Sequence, residues 1–263
     1  MSKLIAIDDG HGMETPGKRT PKFEDGSFMK ENEFNKRVAE LLNEHLIRCG
    51  FKTVMVAPTD VDTPLAERVK TANNAKADFY ISIHANAAGD GNTFNNGKGI
   101  ETFYNPGSIN GEKAAKIIHR HLLNGTKLVD RGVKSTSFYV LKNTKMPAVL
   151  VECGFMTNYE EALLLKSESY RAECAEELAK GICEYFGIAY VERKSEPSSS
   201  NSQENKKPIV SGEVNVVVDG KQIANGYLIN NTTYVPLRAI GEAIDANVNW
   251  DQKTQTATIT TKK

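Results

Sequence analysis

Hydrophobic positions along the first 190 residues follow two alternating patterns, short unbroken apolar runs and longer stretches spaced by three and four. The runs Lys3 to Asp8, Lys52 to Ala57, Asp78 to Ile83, Gly99 to Tyr104, Phe138 to Leu141 and Ala148 to Val151 read as six strands. Phe34, Val38, Leu41, Leu42, His45 and Leu46 mark a helix from Glu31 to about Cys49 that stops at Gly50. Thr63 caps a second helix, with Pro64 at its first position and Leu65, Val69 and Ala72 facing inward. Ala114 to Leu123 forms a third. Thr157-Asn158-Tyr159-Glu160 has the form of a capping box opening a fourth through Leu165, and Ser169 to Phe186 is a fifth that ends at Gly187. Strands without internal alternation, interleaved with helices, predict an α/β fold: a mostly parallel six-stranded twisted sheet with helices on both faces.

The pattern changes at Val191. Ser195 to Pro208 holds no large apolar residue, the mark of a flexible linker. Beyond it, Val214, Val216 and Val218 alternate with polar residues, Asp219-Gly220 suits a hairpin turn, and Leu237, Ile240 and Ile244 predict a short helix with these three inward. Trp250 and Thr256 to Thr260 complete a small α+β domain. The expected organisation is a catalytic domain over 1–190, a linker over 191–208 and a small domain over 209–263.

Composition narrows the chemistry. Lys plus Arg equals Asp plus Glu at 33 each, so no global field selects nucleic acid or an anionic membrane as partner. No run approaches the length of a membrane span, and Leu4 to Ile7 is too short for a signal-peptide core, which implies synthesis in the cytoplasm. Cys49, Cys153, Cys174 and Cys183 lack the density and spacing of a disulfide scaffold or thiolate zinc site.

Four strand-end or helix-start positions carry the candidate chemistry. His11 lies between glycines in Asp8-Asp9-Gly10-His11-Gly12 after the first strand, Glu31 and Glu33 stand in the first turn of the first helix, His84 follows the third strand, and Glu152 follows the sixth. In a doubly wound sheet such positions converge on one edge. Two histidines and one carboxylate compose a hydrolytic zinc centre with an open position for water, and a further carboxylate can carry the proton. From the residues alone, either Glu31 or Glu33 could be the ligand, and each could simply favour the helix dipole. His119 and His121, two apart on one helix, read as solvated or edge residues, as does His45.

These blocks resemble the zinc-dependent N-acetylmuramoyl-L-alanine amidase family of bacterial autolysins and phage endolysins, the Amidase_3 type. The resemblance covers about residues 3 to 188. It rests on Asp9-Gly10-His11-Gly12, Glu31 with Asn35, Leu65-x-x-Arg68, Ala72-Asn73 and Ser82-Ile83-His84-Ala85-Asn86, and continues through Gly99-x-Glu101, Arg131-Gly132-Val133, Tyr139-Val140-Leu141 and Pro147 to Phe155 with Asn158 and Glu161. It implies that His11, Glu31 and His84 hold Zn2+, that Glu152 is the catalytic carboxylate, and that the partner is peptidoglycan, cut between the lactyl group of N-acetylmuramic acid and L-alanine. Asp8 departs from the pattern, which often has a small residue or proline there. The tail resembles the N-terminal module of copper amine oxidases, whose place beyond a linker implies wall targeting, with a dimerising or spacer role as the alternative.

Two rivals follow from the same residues: a thiol hydrolase using Cys153 with His84, and a non-catalytic peptidoglycan-binding protein. Cys153, next to Glu152 on a strand, is expected to point to the opposite face. Without an export signal, release would depend on lysis, as for a phage endolysin or an autolysin freed from a mother cell.

Overall fold

The computed structural model describes residues 2–192, 212–218, 221–229, 232–251 and 256–261; the predicted linker from Ser195 to Pro208 and the Asp219-Gly220 turn lie outside them. The chain divides into two compact units, Met1–Glu196 and Pro197–Lys263. The first comprises β1 (Leu4–Asp8), α1 (Glu31–Arg48), β2 (Lys52–Met55), α2 (Leu65–Asn74), β3 (Phe79–Asn86) and β4 (Ile100–Tyr104), then α3 (Ile109–Thr126), β5 (Asp130–Ser135), α4 (Tyr139–Asn143), β6 (Ala148–Phe155), α5 (Tyr159–Lys166) and α6 (Glu168–Phe186).

The six strands form one sheet in the order β2-β1-β3-β6-β4-β5. All neighbours pair in parallel except β4 and β6, which are antiparallel. The predicted class therefore holds, with one reversed pairing in a mostly parallel sheet. Because side chains alternate along each strand, the sheet has two distinct faces. Ile5, Ile7, Ile81, Ile83, Val149, Val151 and Cys153 enter a core shared with α1, α3 and α6. Ala6, Tyr80, Ala148 and Leu150 enter a second core with Val69 and Ala72 of α2 and Val140 and Leu141 of α4. Continued toward the strand ends, this second face becomes polar at Asp8, Ser82, His84 and Glu152.

Several predicted boundaries change. Phe138 to Leu141 is not the fifth strand: its helical turn sends Val140 and Leu141 into the second core and leaves Phe138 and Tyr139 exposed. The fifth strand is β5, an edge strand whose Asp130, Arg131, Lys134 and Ser135 are exposed, so no apolar run betrays it. Pro64, not Thr63, occupies the N-cap of α2, and Leu65 is exposed rather than inward. Asn158, not Thr157, caps α5, its side chain accepting from the Glu161 amide at 3.1 Å. β3 and β6 run to Asn86 and Phe155, so His84 and Glu152 lie within their strands, as register partners, rather than beyond them.

In the second unit, β7 (Gly212–Val218), β8 (Lys221–Ile229) and β9 (Thr232–Tyr234) form an antiparallel sheet; α7 (Leu237–Ala243) precedes the antiparallel pair β10 (Ala246–Asp251) and β11 (Thr256–Thr261). Leu237 and Ile244, predicted to face inward, are exposed.

Ile81, fully buried at the centre of the sheet, tests the assignment of the first core. Ile81→Ala should destabilise the protein by about 2–5 kcal/mol, read as a shift of the urea unfolding curve.

Candidate active site and metal cluster

Three predicted side chains meet where β1, α1 and β3 end or begin. The ligand atoms of His11, Glu31 and His84 all lie within 4.8 Å of one another. His84 Nδ1 is 3.0 Å from Glu31 Oε1 and His11 Nε2 is 3.4 Å from Glu31 Oε2. Glu33 stays outside this cluster. Its carboxylate accepts from the Lys30 amide at 2.8 Å in the capping box of α1.

The local backbone explains how the cluster forms. His11 adopts φ 61 and Gly10 φ 28, a sharp turn held by Asn32, whose amide donates to the carbonyls of Asp9 and Gly10 at 2.7 and 3.0 Å. Asn35 adds a further bond to the Gly10 carbonyl at 3.0 Å. A Cβ on Gly10 would stand 2.4 Å from His84 Cε1, so the missing side chain is what lets the two histidines approach. Their rings meet edge to face at 4.9 Å.

Beneath the turn, Arg68 is buried and fully occupied. It donates to Asp8 Oδ1 at 2.5 Å, to the His11 carbonyl at 2.8 Å and to the Thr63 carbonyl at 2.7 Å. Asp8 Oδ2 in turn accepts from Tyr80 Oη at 2.8 Å and Ser82 Oγ at 2.7 Å. The single proton of Ser82 is thereby used, so toward His84 Nε2, at 3.2 Å, the hydroxyl acts as acceptor. His84 Nε2 thus donates to Ser82, while Nδ1 faces Glu31 Oε1 at 3.0 Å.

The electrostatics suit a cation. Burial lowers His11 to about 4 in spite of the Glu31 charge, which leaves it a neutral imidazole near pH 7. Burial alone would raise Glu31 and lower His84, yet their mutual hydrogen bond and charges hold Glu31 below the usual carboxylate range and His84 above the usual imidazole one. Glu31 Oε2 is buried without a hydrogen-bond donor, an arrangement that a bound cation would satisfy. Two imidazoles and a carboxylate form a donor set that fits a divalent transition ion.

Glu152 sits on β6 opposite His84 of β3 and opposite Glu101 of β4. Burial, strengthened by the Glu31 charge and opposed by His84, pushes it up to about 8. Its neighbour Glu101 behaves differently: burial would raise it, but Arg131, hydrogen-bonded through Nε, and Lys134 at 3.0 Å hold it below the ordinary value. Beside Glu152 opens a cavity of about 520 Å³, walled by Pro64, Leu65, Phe138 and Tyr139 and bordered by Lys18. Cys153 points the other way, fully buried in the first core, its thiol pushed far up by a hydrogen bond with Cys174 and by burial. The thiol hydrolase reading therefore fails on geometry.

A family model described as N-acetylmuramoyl-L-alanine amidase matches residues 5–184. The chain belongs to that family. It is 35% identical over 188 residues to the N-acetylmuramoyl-L-alanine amidase LytC of Bacillus subtilis, a match covering 71% of this chain and 36% of LytC. It is 32% identical over 222 residues to the endolysin of Bacillus phage SPP1, covering 83% and 76% of the two chains. The crystal structure of an N-acetylmuramoyl-L-alanine amidase from Clostridium difficile 630 superposes with a TM-score of 0.64 at 30% identity, over 71% of this chain and 97% of that one. The expected amidase domain is thus met. A second family model, copper amine oxidase N-terminal domain, matches residues 217–263.

The structure brings His11, Glu31 and His84 together and sets Glu152 beside His84, whereas Asn32 and Lys18 were not singled out from the sequence. Asn32 gave a signal, a polar residue in the first turn of a helix whose later buried positions are apolar. Lys18, 4.0 Å from Glu31 Oε2, gave none within its irregular loop. His119, expected at an edge, is buried, with Nδ1 3.0 Å from Thr102 Oγ1 and Nε2 2.8 Å from Asp130 Oδ1.

Ser82→Ala should leave the fold intact while weakening divalent-ion binding about 10–100-fold, measured by competition with a chromophoric chelator. Arg68→Met strands Asp8 in the interior and should cost about 3–5 kcal/mol in urea unfolding.

Proposed function

We propose that this chain hydrolyses the amide between the lactyl group of N-acetylmuramic acid and the L-alanine that opens the peptide stem of peptidoglycan, with Zn2+ held by His11, Glu31 and His84 and with Glu152 as the catalytic carboxylate. The observation that carries the reading is the meeting of His11, Glu31 and His84 with Glu152 as the register partner of His84. Zinc bound there would supply Lewis acidity and a water of lowered pKa.

The chain's own residues do the rest. Glu152, without a hydrogen-bond donor on Oε2, accepts the proton of the attacking water and passes it to the leaving alanine nitrogen. Its raised pKa, near 8 before any cation draws it down, suits a carboxyl that alternates between base and acid near neutral pH. Glu101, held ionised by Arg131 and Lys134, leaves that exchange to Glu152. The adjoining cavity, with the exposed rings of Phe138 and Tyr139 in its wall, receives the substrate beside the reacting amide. Because side chains suited to both metal ligand and proton carrier lie side by side, a purely adhesive role is the weaker reading. The C-terminal unit retains the enzyme on the wall by tethering, which raises its local concentration at the polymer.

Glu152→Gln should keep one metal ion per chain and lose at least about 10³-fold in turnover, whereas His84→Ala should lose the metal. Metal analysis beside a wall turbidity assay checks both, and an active Glu152→Gln enzyme overturns the role. Mass spectrometry of digested walls should find intact stem peptides freed with an N-terminal alanine. A chain ended at residue 192 should cut soluble fragments normally but sediment less with purified walls; undiminished sedimentation removes the tethering role.

A further inference from the structure

Two loops that leave the sheet right after the catalytic strands fold back together and build an aromatic surface. Asn86 at the end of β3 and Ala87, Gly89, Asp90 and Gly91 after it border a hollow of about 290 Å³ that also touches Glu31, His84 and Glu152. The same loop continues to Phe94, Asn95, Asn96 and Lys98, which together with Asn158, Tyr159 and Glu160 line a second hollow of about 440 Å³. The two are joined through a rigid seam: Asn95 N donates to the Thr157 carbonyl at 2.7 Å, Ala88 N to Thr157 Oγ1 at 2.9 Å, and Asn95 Nδ2 to the Ala88 carbonyl at 2.8 Å.

Three rings pack there. Phe23, from the loop before α1, lies 5.4 Å from Phe94 and 5.8 Å from Tyr159, and Phe94 meets Tyr159 edge to face at 5.2 Å. Phe23 is 8% exposed and by itself accounts for fastening the loops. Tyr159 does not need to be seen by solvent for that purpose, yet it is 43% exposed. Around it, the side chains of Asn96, Lys98 and Glu160 engage in no hydrogen bond among the described residues. An open aromatic ring rimmed by amide, ammonium and carboxylate groups is the chemistry of a sugar site: the ring covers the C–H face of a pyranose while the rim pairs with its hydroxyls and N-acetyl group.

We propose that Tyr159, Phe94, Asn96 and Lys98 form a subsite for a neighbouring N-acetylated sugar of the glycan strand. The proposal rests on the amidase reading above, in which the scissile amide hangs from one sugar of a long polymer, and on the two loops that line this hollow leaving the sheet directly after the strands of His84 and Glu152. The 520 Å³ cavity on the other side of the cluster then takes the peptide stem. Binding energy collected at a remote sugar favours polymer over isolated muramoyl peptides.

Kinetics on two substrates separate the outcomes. With glycan fragments of several disaccharides, Tyr159→Ala should raise KM roughly tenfold, and Tyr159→Phe, which keeps the ring, should restore it. With the single-sugar substrate N-acetylmuramoyl-L-alanyl-D-isoglutamine, both variants should match the parent enzyme. Equal losses on both substrates, or no loss on either, overturn the subsite. A binding arm is independent of catalysis: titrating the full chain with tetra-N-acetylchitotetraose should perturb the amide NMR signals of residues 94–98 and 158–160, and Tyr159→Ala should abolish this. If the parent protein cuts neither substrate, the amidase reading fails, while the titration still decides for or against the sugar site. An unchanged thermal midpoint of Tyr159→Ala keeps unfolding out of the comparison.

Discussion

A carboxylate taken out of water must find positive charge or give up its own. Among the carboxylates at one end of the sheet, Asp8, Glu31 and Glu101 are buried and Glu152 is half-buried beside them. Asp8 has Arg68, Glu101 has Arg131 and Lys134, and Glu31 has His84, with Lys18 at 4.0 Å. Glu152 is left without a partner of its own, and it is the group whose affinity for a proton rises most among them. The distribution of cations thus sorts the four into supports, a ligand and a proton carrier.

This sorting also explains why distant parts of the chain converge. Arg68 comes from α2 and Arg131 from the edge strand β5, yet each serves a carboxylate on another strand. Arg68 does two jobs at once, neutralising Asp8 and holding the carbonyl of His11 in its turn. Asp8, which departs from the family pattern, gains its place through Tyr80 and Ser82, and Ser82 fixes the orientation of His84.

Much of this was legible in the sequence because buried strands leave apolar runs. Five of the six strands, the major helices, and the positions of His11, His84 and Glu152 at the strand ends could be placed from such runs and from what interrupts them. β5 could not, since an exposed edge strand carrying only Val133 as an apolar side chain has no such run, and Phe138 to Leu141 took its place by mimicking one. Nor could the choice between Glu31 and Glu33 be made from spacing, because both stand in the first turn of α1. What separates them is direction: Glu31 turns into the interior toward both histidines, whereas Glu33 folds back on the backbone of Lys30. Contacts between side chains far apart in sequence, such as Ser82 with Asp8, leave no periodic trace.

The opposite orientation of Glu152 and Cys153 has one more effect. With all four cysteines buried and none lining the cavity beside Glu152, no thiol stands where substrate meets the reacting groups. Oxidation of a thiol therefore has no direct route to the reacting groups.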